Sequence, residues 1–144
     1  MKNNPYWYDF PLIPSCTTEF ALVDFRDGTP VLEIDSLSFP IRIVQKVAST
    51  KGLRCIYFLF GLHGYPERTL SYIGRTENLR DRLYQYPHKE SKIVGYIETK
   101  LPRKEMAWVE DYLIYRLNPF WNSRYNITIN WQCCILKPPT LEFL

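Results

Sequence analysis

The sequence predicts an α+β fold, in which a small and mainly antiparallel β-sheet is flanked by helices and preceded by an N-terminal β-hairpin. Three features support this prediction. The pair Asp27-Gly28 separates two apolar runs, as in tight hairpin turns. Residues 54–99 contain short runs of apolar and aromatic residues that are separated by glycine and proline. Residues 102–117 repeat apolar side chains every three or four positions, which is typical of a helix.

The bulk composition is that of a globular protein with one domain. Of the 144 residues, 46% are hydrophobic and 23% are charged, which is unlike a disordered chain. Residues 1–5 lack the apolar stretch of a secretory signal, and the longest apolar run, residues 55–62, is too short to cross a bilayer. The four cysteines form no Cys-x-x-Cys pair. We therefore expect free thiols, a cytoplasmic location and no membrane contact.

We expect three regions along the chain: an extension over residues 1–50 within the same globule, a core over residues 51–125 and a tail over residues 126–144. The extension carries four Lys/Arg and six Asp/Glu, whereas the core carries thirteen Lys/Arg and eight Asp/Glu. This positive balance in the core suits a phosphate-binding surface, although an ordinary solvated face has the same composition. The extension and the tail can extend the sheet, mediate a homodimer or contact a substrate.

In the extension, residues 20–25 and 31–34 are predicted to form the two strands of the hairpin. Residues 39–48 fit either a strand or a short helix, because their apolar spacing does not distinguish the two. The core is predicted to follow the order β-β-α-β-α, with strands over 54–60, 69–74 and 92–99 and helices over 77–86 and 102–117.

The ends of the two helices are marked by residues that commonly start or stop helices. Thr76 can cap the first helix, and Pro87 ends it because the residue before a proline disfavours helical backbone angles. Pro102 suits the first turn of the second helix, and Asn118-Pro119 ends that helix.

Two polar residues interrupt the apolar faces of these helices. Glu110 falls in the middle of the apolar face of the second helix, where an unpaired carboxylate is strongly disfavoured. A metal ion or an arginine would remove that cost, so Glu110 is either a metal ligand or one half of a buried Glu–Arg pair. Arg82 shares a face of the first helix with Leu79 and Leu83. It can grip a phosphate beside the sheet, or it can extend its guanidinium into water.

Aromatic residues form the third group of candidates. Tyr57 and Tyr72 lie on consecutive predicted strands, and their side chains can share one face if the strands pair as a hairpin. By themselves, tyrosines on strands are usually amphipathic core residues. The aromatic share of 16% likewise indicates either core and subunit contacts or a surface that stacks on nucleobases.

In their linear order, these residues resemble the motifs of the GIY-YIG nuclease superfamily, which includes phage homing endonucleases, some restriction enzymes and the N-terminal domain of the bacterial excision-repair nuclease. The likeness covers about residues 54–122, and it places Arg82 eight residues after Gly74 and Asn122 twelve residues after Glu110. The matching segments are Cys55-Ile56-Tyr57, Tyr72-Ile73-Gly74-Arg75, Asn78-Leu79-Arg80-Asp81-Arg82-Leu83, Glu110 and Asn118-Pro119-Phe120-Trp121-Asn122.

The resemblance implies a metal-dependent endonuclease that hydrolyses phosphodiester bonds in DNA, with RNA as a further possible substrate. It implies that Tyr57 and Tyr72 orient and deprotonate the attacking water, one of them as general base. Arg82 would stabilise the phosphate in the transition state, and Tyr86 would lie near the leaving-group oxygen. Because a free tyrosine has a pKa near ~10, such a base requires help from a metal or a nearby cation.

The resemblance also assigns the metal and the supporting residues. Glu110 would be the sole protein ligand of one Mg²⁺ or Mn²⁺ ion, which is usual for Mg²⁺ because it keeps several waters. Asn122 would order the site. Polar residues around the motifs are expected to bind the substrate, with His88 as either a proton donor or an ordinary surface histidine: Arg75, Arg80, His88, Lys89 and Lys92.

Two features depart from the family pattern. Cys55 stands where the first motif usually has glycine, which we expect a strand to tolerate. The stretch between Arg82 and Glu110 is short, so a second helix that is common in the family is expected to be reduced to a loop. A catalytically silent module that binds nucleic acid or protein is the alternative function, and a purely structural aromatic core is a third interpretation.

Overall fold

A computed structural model of the chain describes residues 7–8, 21–122, 135–136, 139 and 141. Within these ranges every strand pairing is antiparallel, and the strands and helices form an α+β fold, as the sequence predicts. The strands are β1 (Trp7–Tyr8), β2 (Leu22–Arg26), β3 (Thr29–Ile34), β4 (Leu37–Pro40), β5 (Arg42–Ile43), β6 (Cys55–Phe60), β7 (Leu70–Thr76), β8 (Ile93–Glu98) and β9 (Ile135–Leu136). The helices are α1 (Leu79–Leu83) and α2 (Arg103–Leu117).

The predicted N-terminal hairpin is confirmed and forms part of a three-stranded sheet in the order β2-β3-β4. Its turn contains Asp27 and Gly28 with φ angles of 52° and 80°, the left-handed pair that joins two twisted strands by the shortest loop. Residues 39–48 form neither one strand nor one helix. They include the end of β4, all of β5 and the start of a 3₁₀ turn at Val47–Thr50.

The core of the molecule is a four-stranded sheet in the order β5-β8-β6-β7. All six residues of the central strand β6 are buried, and alternate side chains point to opposite faces. Phe58 and Phe60 pack in one cluster with Leu113 of α2, while Tyr57 and Leu59 pack in a second cluster on the other face. Consequently, the two predicted tyrosine strands lie between two packed layers.

Helix α2 agrees closely with its prediction over residues 102–117. It ends where Asn118 adopts a left-handed conformation with φ 48° and donates its backbone N–H to the carbonyl oxygen of Ile114 at 2.8 Å. Met106, Val109 and Glu110 are among the side chains that the helix buries. The carboxylate that interrupts the apolar pattern therefore lies on the buried face, as the spacing predicts.

Helix α1 is much shorter than the predicted span of 77–86. The preceding strand continues through Thr76, which pairs opposite Cys55, so Thr76 cannot begin the helix. The helix ends at Leu83, and a turn follows in which the carbonyl oxygen of Arg82 accepts the backbone N–H of Gln85 at 3.1 Å. The segment after that turn folds back towards the sheet and contains a 3₁₀ turn at His88–Glu90.

The N-terminal sheet shares its core with helix α2. Leu32 and Ile34 belong to the same buried cluster as Leu113. A polar contact joins the two units, because Arg116 donates from Nη1 to Oδ1 of Asp35 at 2.8 Å and the Tyr112 hydroxyl donates to Oδ2 of Asp35 at 2.8 Å. The extension is thus packed against the helix that carries Glu110.

In the described part of the chain, no helix is long and apolar enough to cross a membrane. Cys55 is a free and fully buried thiol within strand β6. Burial, followed by the charge of Glu98, raises the pKa of Cys55 to about 12. The other three cysteines lie outside the described residues.

Candidate active site

Tyr57 and Tyr72 lie on the same face of the sheet. Strands β6 and β7 pair so that Tyr57 is opposite Gly74 and Leu59 is opposite Tyr72, and cross-strand partners point to the same face. The two tyrosine rings have centroids 6.1 Å apart. A Cβ atom on Gly74 would lie 2.4 Å from the Tyr57 oxygen. The absence of a side chain at Gly74 is therefore what allows the Tyr57 ring to lie across the neighbouring strand.

His88 completes this aromatic group. Its Nε2 atom shares a hydrogen bond of 2.9 Å with the hydroxyl of Tyr57. Its ring centroid is 5.5 Å from that of Tyr57 and 5.3 Å from that of Tyr72. The other ring nitrogen, Nδ1, is buried and has no hydrogen-bond partner among the described residues. Consequently, no contact described here fixes the tautomer, and His88 is able either to accept a proton from Tyr57 or to donate one.

From the sequence, His88 was expected to bind substrate, either as a proton donor or as an ordinary surface histidine, and its contact with Tyr57 was not predicted. Its contact with Tyr57 depends on the early end of α1, because the turn after Leu83 returns the chain to the sheet. A helix that continued to residue 86 would have directed the following residues elsewhere. The short spacing between Pro87 and the next strand was the one signal of a tight return in the sequence.

Burial controls the ionisation of this group. It raises the pKa of Tyr57 above its ordinary value, the neighbouring Tyr72 raises it further, and Arg82 acts in the opposite direction. Burial also lowers the pKa of His88, and the positive charge of Arg82 lowers it again. Tyr57 is therefore held as the neutral phenol, and His88 is held as the neutral imidazole at neutral pH.

Arg82 is exposed, whereas Leu79 and Leu83 of the same helix are buried. Arg82 lines a cleft of about 560 Å³, together with Arg75, Thr76, Glu77, Asn78, Asp81, Gln85, Arg103 and Met106. Because its charge reaches both Tyr57 and His88, Arg82 is the cation that connects the cleft with the aromatic group.

Glu110 approaches the site from α2. It is 7% exposed, and its Oε1 lies 3.3 Å from Nε of Arg75, whose side chain is 45% exposed. This contact corresponds to the Glu–Arg pair that the apolar pattern allowed. The charge of Glu110 also contributes to the raised pKa of Tyr57, after burial, Tyr72 and Arg82. The charge of Glu110 thus acts on Tyr57 although Glu110 lies on a helix that packs against the other face.

The donor set is compatible with one hard divalent cation. Among the described residues, no three His, Cys, Asp or Glu side chains come together as a metal cluster. A metal held here would depend on the Glu110 carboxylate, with waters and substrate oxygens as its other ligands, which Mg²⁺ accepts readily. The half-exposed Arg75 is on a long, flexible side chain, so it can move aside to release that carboxylate.

Asn122 is buried and binds the backbone of strand β7. Its Oδ1 accepts the N–H of Ile73 at 2.7 Å, and its Nδ2 donates to the carbonyl oxygen of Ile73 at 2.8 Å. Ile73 lies between Tyr72 and Gly74, so the amide holds the strand at the point where the tyrosine pair is built. Through these two hydrogen bonds Asn122 can order the site, which is the role that the resemblance implies for it.

The remaining predicted residues are exposed or have other contacts. Tyr86 is 70% exposed, and its ring meets that of His63 at 6.3 Å. Arg80 lies 3.7 Å from Asp81 and does not line the cleft. Lys92 donates from Nζ to the carbonyl oxygen of Tyr65 at 2.9 Å. Lys89 is exposed.

One buried polar residue in this region was not anticipated from the sequence. The hydroxyl oxygen of Ser71 accepts the backbone N–H of Leu62 at 3.1 Å, while the hydroxyl donates to the carbonyl oxygen of Thr69 at 3.2 Å. It fixes the loop that carries His63 against the start of β7. Ser71 lies in strand β7, and no pattern in the sequence distinguishes it from a serine on the exposed face of a strand.

Comparisons with known protein families, with curated proteins and with solved structures find no match to this chain.

Proposed function

We propose that the chain is an endonuclease of the GIY-YIG type, which hydrolyses phosphodiester bonds in DNA with one Mg²⁺ or Mn²⁺ ion. The observation that carries the proposal is the hydrogen bond between Tyr57 and His88, beside Tyr72 and within reach of the Arg82 charge. This arrangement combines a proton acceptor with a nearby cation that can bind phosphate.

Arg82 binds the scissile phosphate in this proposal. Its exposed guanidinium offers two parallel N–H donors, which match the oxygens of a phosphate group. The positive charge then opposes the negative charge that develops on the phosphate oxygens during attack. Binding also changes the acid–base balance, because the single negative charge of a phosphodiester next to Arg82 offsets the positive charge that lowers the pKa of His88. His88 becomes a better proton acceptor when the substrate is present.

The proton of the attacking water moves through the tyrosine to the histidine. Tyr72 orients the water, the oxygen of Tyr57 takes one proton from it, and the phenolic proton of Tyr57 passes to Nε2 of His88. The water oxygen forms a bond to phosphorus, the bond from phosphorus to the leaving oxygen breaks, and that oxygen takes a proton from solvent. This relay avoids a free phenolate at Tyr57, which burial makes unfavourable.

Glu110 would hold the metal, and Asn122 would hold the strand. A divalent cation at Glu110 supplies charge stabilisation for the phosphate and the leaving oxygen. Arg75 forms an ion pair with the Glu110 carboxylate. We assign to Arg75 the role of a counterion that leaves the carboxylate when the cation binds. Tyr86, which is far more exposed than Tyr57, is assigned to the outer wall of the site near the leaving group.

The test is cleavage of single-stranded, duplex, flap and four-way DNA, and of RNA, with Mg²⁺, Mn²⁺ or a chelator. Glu110→Gln is expected to abolish metal-dependent cleavage. Glu105→Gln is the matched control, because Glu105 is an exposed glutamate in the first turn of the same helix. Cleavage by the Glu110→Gln protein at the wild-type rate would refute the assignment.

The ion pair between Arg75 and Glu110 favours one second candidate, a catalytically silent module that binds nucleic acid. In that case the carboxylate has a structural partner and needs no cation. Absence of cleavage in every metal, combined with DNA binding that weakens as the salt concentration rises, would support this candidate.

A further inference from the structure

Five ring-bearing side chains lie next to one another beside the candidate active site, and we call them the aromatic shelf: His63, Tyr65, Tyr86, Phe120 and Trp121. The rings of His63 and Trp121 are stacked, with centroids 4.4 Å apart and an angle of 29° between their planes. The rings of Tyr65 and Phe120 have centroids 4.3 Å apart. Phe120 and Trp121 join the two pairs at 6.2 Å.

The shelf faces solvent to an unusual degree for such large side chains. Tyr65 is 47% exposed, Tyr86 is 70% exposed and Trp121 is 43% exposed. Single exposed aromatic residues are common on protein surfaces, but a contiguous group of them typically marks a binding site. The core does not require this group, because the buried clusters contain none of its members.

The backbone holds the shelf in place. His63 adopts a left-handed conformation with φ 55°, between Gly61 at φ 72° and Gly64 at φ 81°. A non-glycine residue in that conformation is strained, and here the conformation accompanies the stacking of the imidazole on Trp121. The backbone N–H of Trp121 donates to the carbonyl oxygen of Ser71 at 3.0 Å. The shelf is therefore attached to strand β7 at the residue before Tyr72.

The shelf is continuous with the candidate active site and is bordered by a cation. Trp121 precedes Asn122, whose amide binds Ile73 of the tyrosine-bearing strand. Tyr86 lies two residues before His88 in the chain. On the other side, Lys92 places its Nζ 2.9 Å from the carbonyl oxygen of Tyr65. The shelf is thus linked to the candidate active site through Asn122 and through the segment from Tyr86 to His88, and Lys92 adds a positive charge at Tyr65.

We propose that the aromatic shelf stacks on an unpaired nucleobase next to the phosphate that is cut. This inference rests on the proposed function and narrows its substrate to DNA with at least one unpaired nucleotide beside the cleavage point. Aromatic rings stack on any base, so the shelf would bind nucleotides with little dependence on their sequence. Duplex DNA keeps its bases stacked on one another and cannot offer one to the shelf unless it unpairs.

The closing experiment measures base stacking without cleavage. Wild-type protein in chelator is titrated into a short single-stranded oligonucleotide that carries the fluorescent base 2-aminopurine, which is quenched when it stacks on an aromatic ring. We expect quenching with wild-type protein, and roughly tenfold weaker binding with reduced quenching for Trp121→Ala, since one base–aromatic stack is worth about 1–3 kcal/mol. The same sequence as RNA shows whether the shelf distinguishes the sugar.

Three further variants make the result specific. Trp121→Phe keeps a ring and is expected to retain most of the binding. Tyr65→Ala tests the shelf at an exposed position in case Trp121→Ala unfolds, and it should also weaken binding. Tyr84→Ala is the matched control, because Tyr84 is 63% exposed and lies outside the shelf. It should bind like wild type.

Two results would overturn the inference: equal affinity of wild type and the two shelf variants, or equal affinity for an oligonucleotide that lacks the base at the probed position. Failure of the proposed function has a different signature. If the protein quenches 2-aminopurine but cuts no substrate in Mg²⁺ or Mn²⁺, base stacking on the shelf is supported and the nuclease activity is refuted. If the protein cuts perfectly paired duplex and flap DNA equally well and does not quench 2-aminopurine, the nuclease activity is supported and base stacking on the shelf is refuted.

Discussion

Asn122 binds both backbone groups of Ile73 through one side-chain amide, at 2.7 and 2.8 Å. Strand β7 is the last strand in the order β5-β8-β6-β7, so these backbone groups point away from the sheet. The amide takes the position that a further strand would occupy. It thereby joins the chain after α2 to the strand that carries Tyr72 and Gly74.

Replacing Asn122 by alanine should destabilise the fold and the site together. We expect a loss of about 2–3 kcal/mol in the free energy of unfolding, because the variant leaves the N–H and the carbonyl of Ile73 without this partner in a buried place. Urea denaturation measures the loss. Asn78→Ala is the matched control, since that amide makes two hydrogen bonds at an exposed site and should be worth about half as much or less. Equal losses would contradict the edge-binding role.

The protonation of His88 should shape the pH dependence of both rate and stability. Burial lowers the pKa of His88 in the folded state, so the unfolded chain binds the proton more readily. Stability is therefore lost as the pH falls through the unfolded pKa near ~6.5, and the loss levels off below the folded pKa. His88→Gln should remove this part of the slope in thermal unfolding measured from pH 7.5 to 4.5.

The rate of cleavage should also depend on the protonation of His88. If neutral His88 accepts the proton from Tyr57, kcat/KM falls on the acid side with a midpoint below ~6.5. The Tyr57 hydroxyl itself should produce no transition between pH 7 and 10, because burial raises its pKa. His88→Gln should lower kcat and remove the decrease of kcat/KM at acid pH. If that decrease is unchanged in the variant, another residue accepts the proton.

Competition between Arg75 and a cation at Glu110 is measurable without substrate. Arg75→Gln should tighten Mg²⁺ binding about two- to fivefold, which corresponds to the ~0.5–1 kcal/mol of a partly exposed ion pair. The shift in the unfolding temperature with Mg²⁺ concentration reports this affinity. Glu110→Gln should remove the shift, and Glu105→Gln should keep it. A Mg²⁺ effect that is the same in all four proteins would place the ion elsewhere.

The contact between Asp35 and Arg116 should be a main link between the N-terminal sheet and α2. The Arg116 side chain is 8% exposed, so Asp35→Asn leaves a buried guanidinium without its carboxylate. We expect a loss of about 2–4 kcal/mol. Asparagine also tolerates the left-handed φ of 50° at this position. Glu33→Gln is the control, because it removes the exposed ion pair with Arg26 and should cost less than about 1 kcal/mol.

Much of the fold is predictable from local patterns, and the exceptions have physical causes. The Asp27-Gly28 turn and the end of α2 at Asn118 depend on residues whose own backbone preferences decide the structure. Helix α1 was predicted too long because apolar spacing continues to Tyr86, whereas Thr76 remains paired in the sheet. A tertiary contact, here strand pairing, overrides a local helix signal.

The candidate site was predictable as a set of residues but not as a set of contacts. The anomalous Glu110 follows from its place in an apolar stripe, and the structure adds its partner Arg75. The contact of His88 with Tyr57 depends on the turn that follows Leu83, and no periodicity encodes it. The aromatic shelf joins segments that are more than fifty residues apart in the chain, from His63 to Trp121, so only the fold brings them together.

Gly74 has a consequence for how this sequence can vary. The Tyr57 ring fills the space in which any other residue at position 74 would place its Cβ. The two positions are therefore not independent. Among natural variants of this protein, an alanine or larger residue at position 74 should occur only together with a smaller side chain at position 57, and such a double exchange would keep the sheet while removing the phenol. An aromatic ring at position 57 thus requires glycine at position 74.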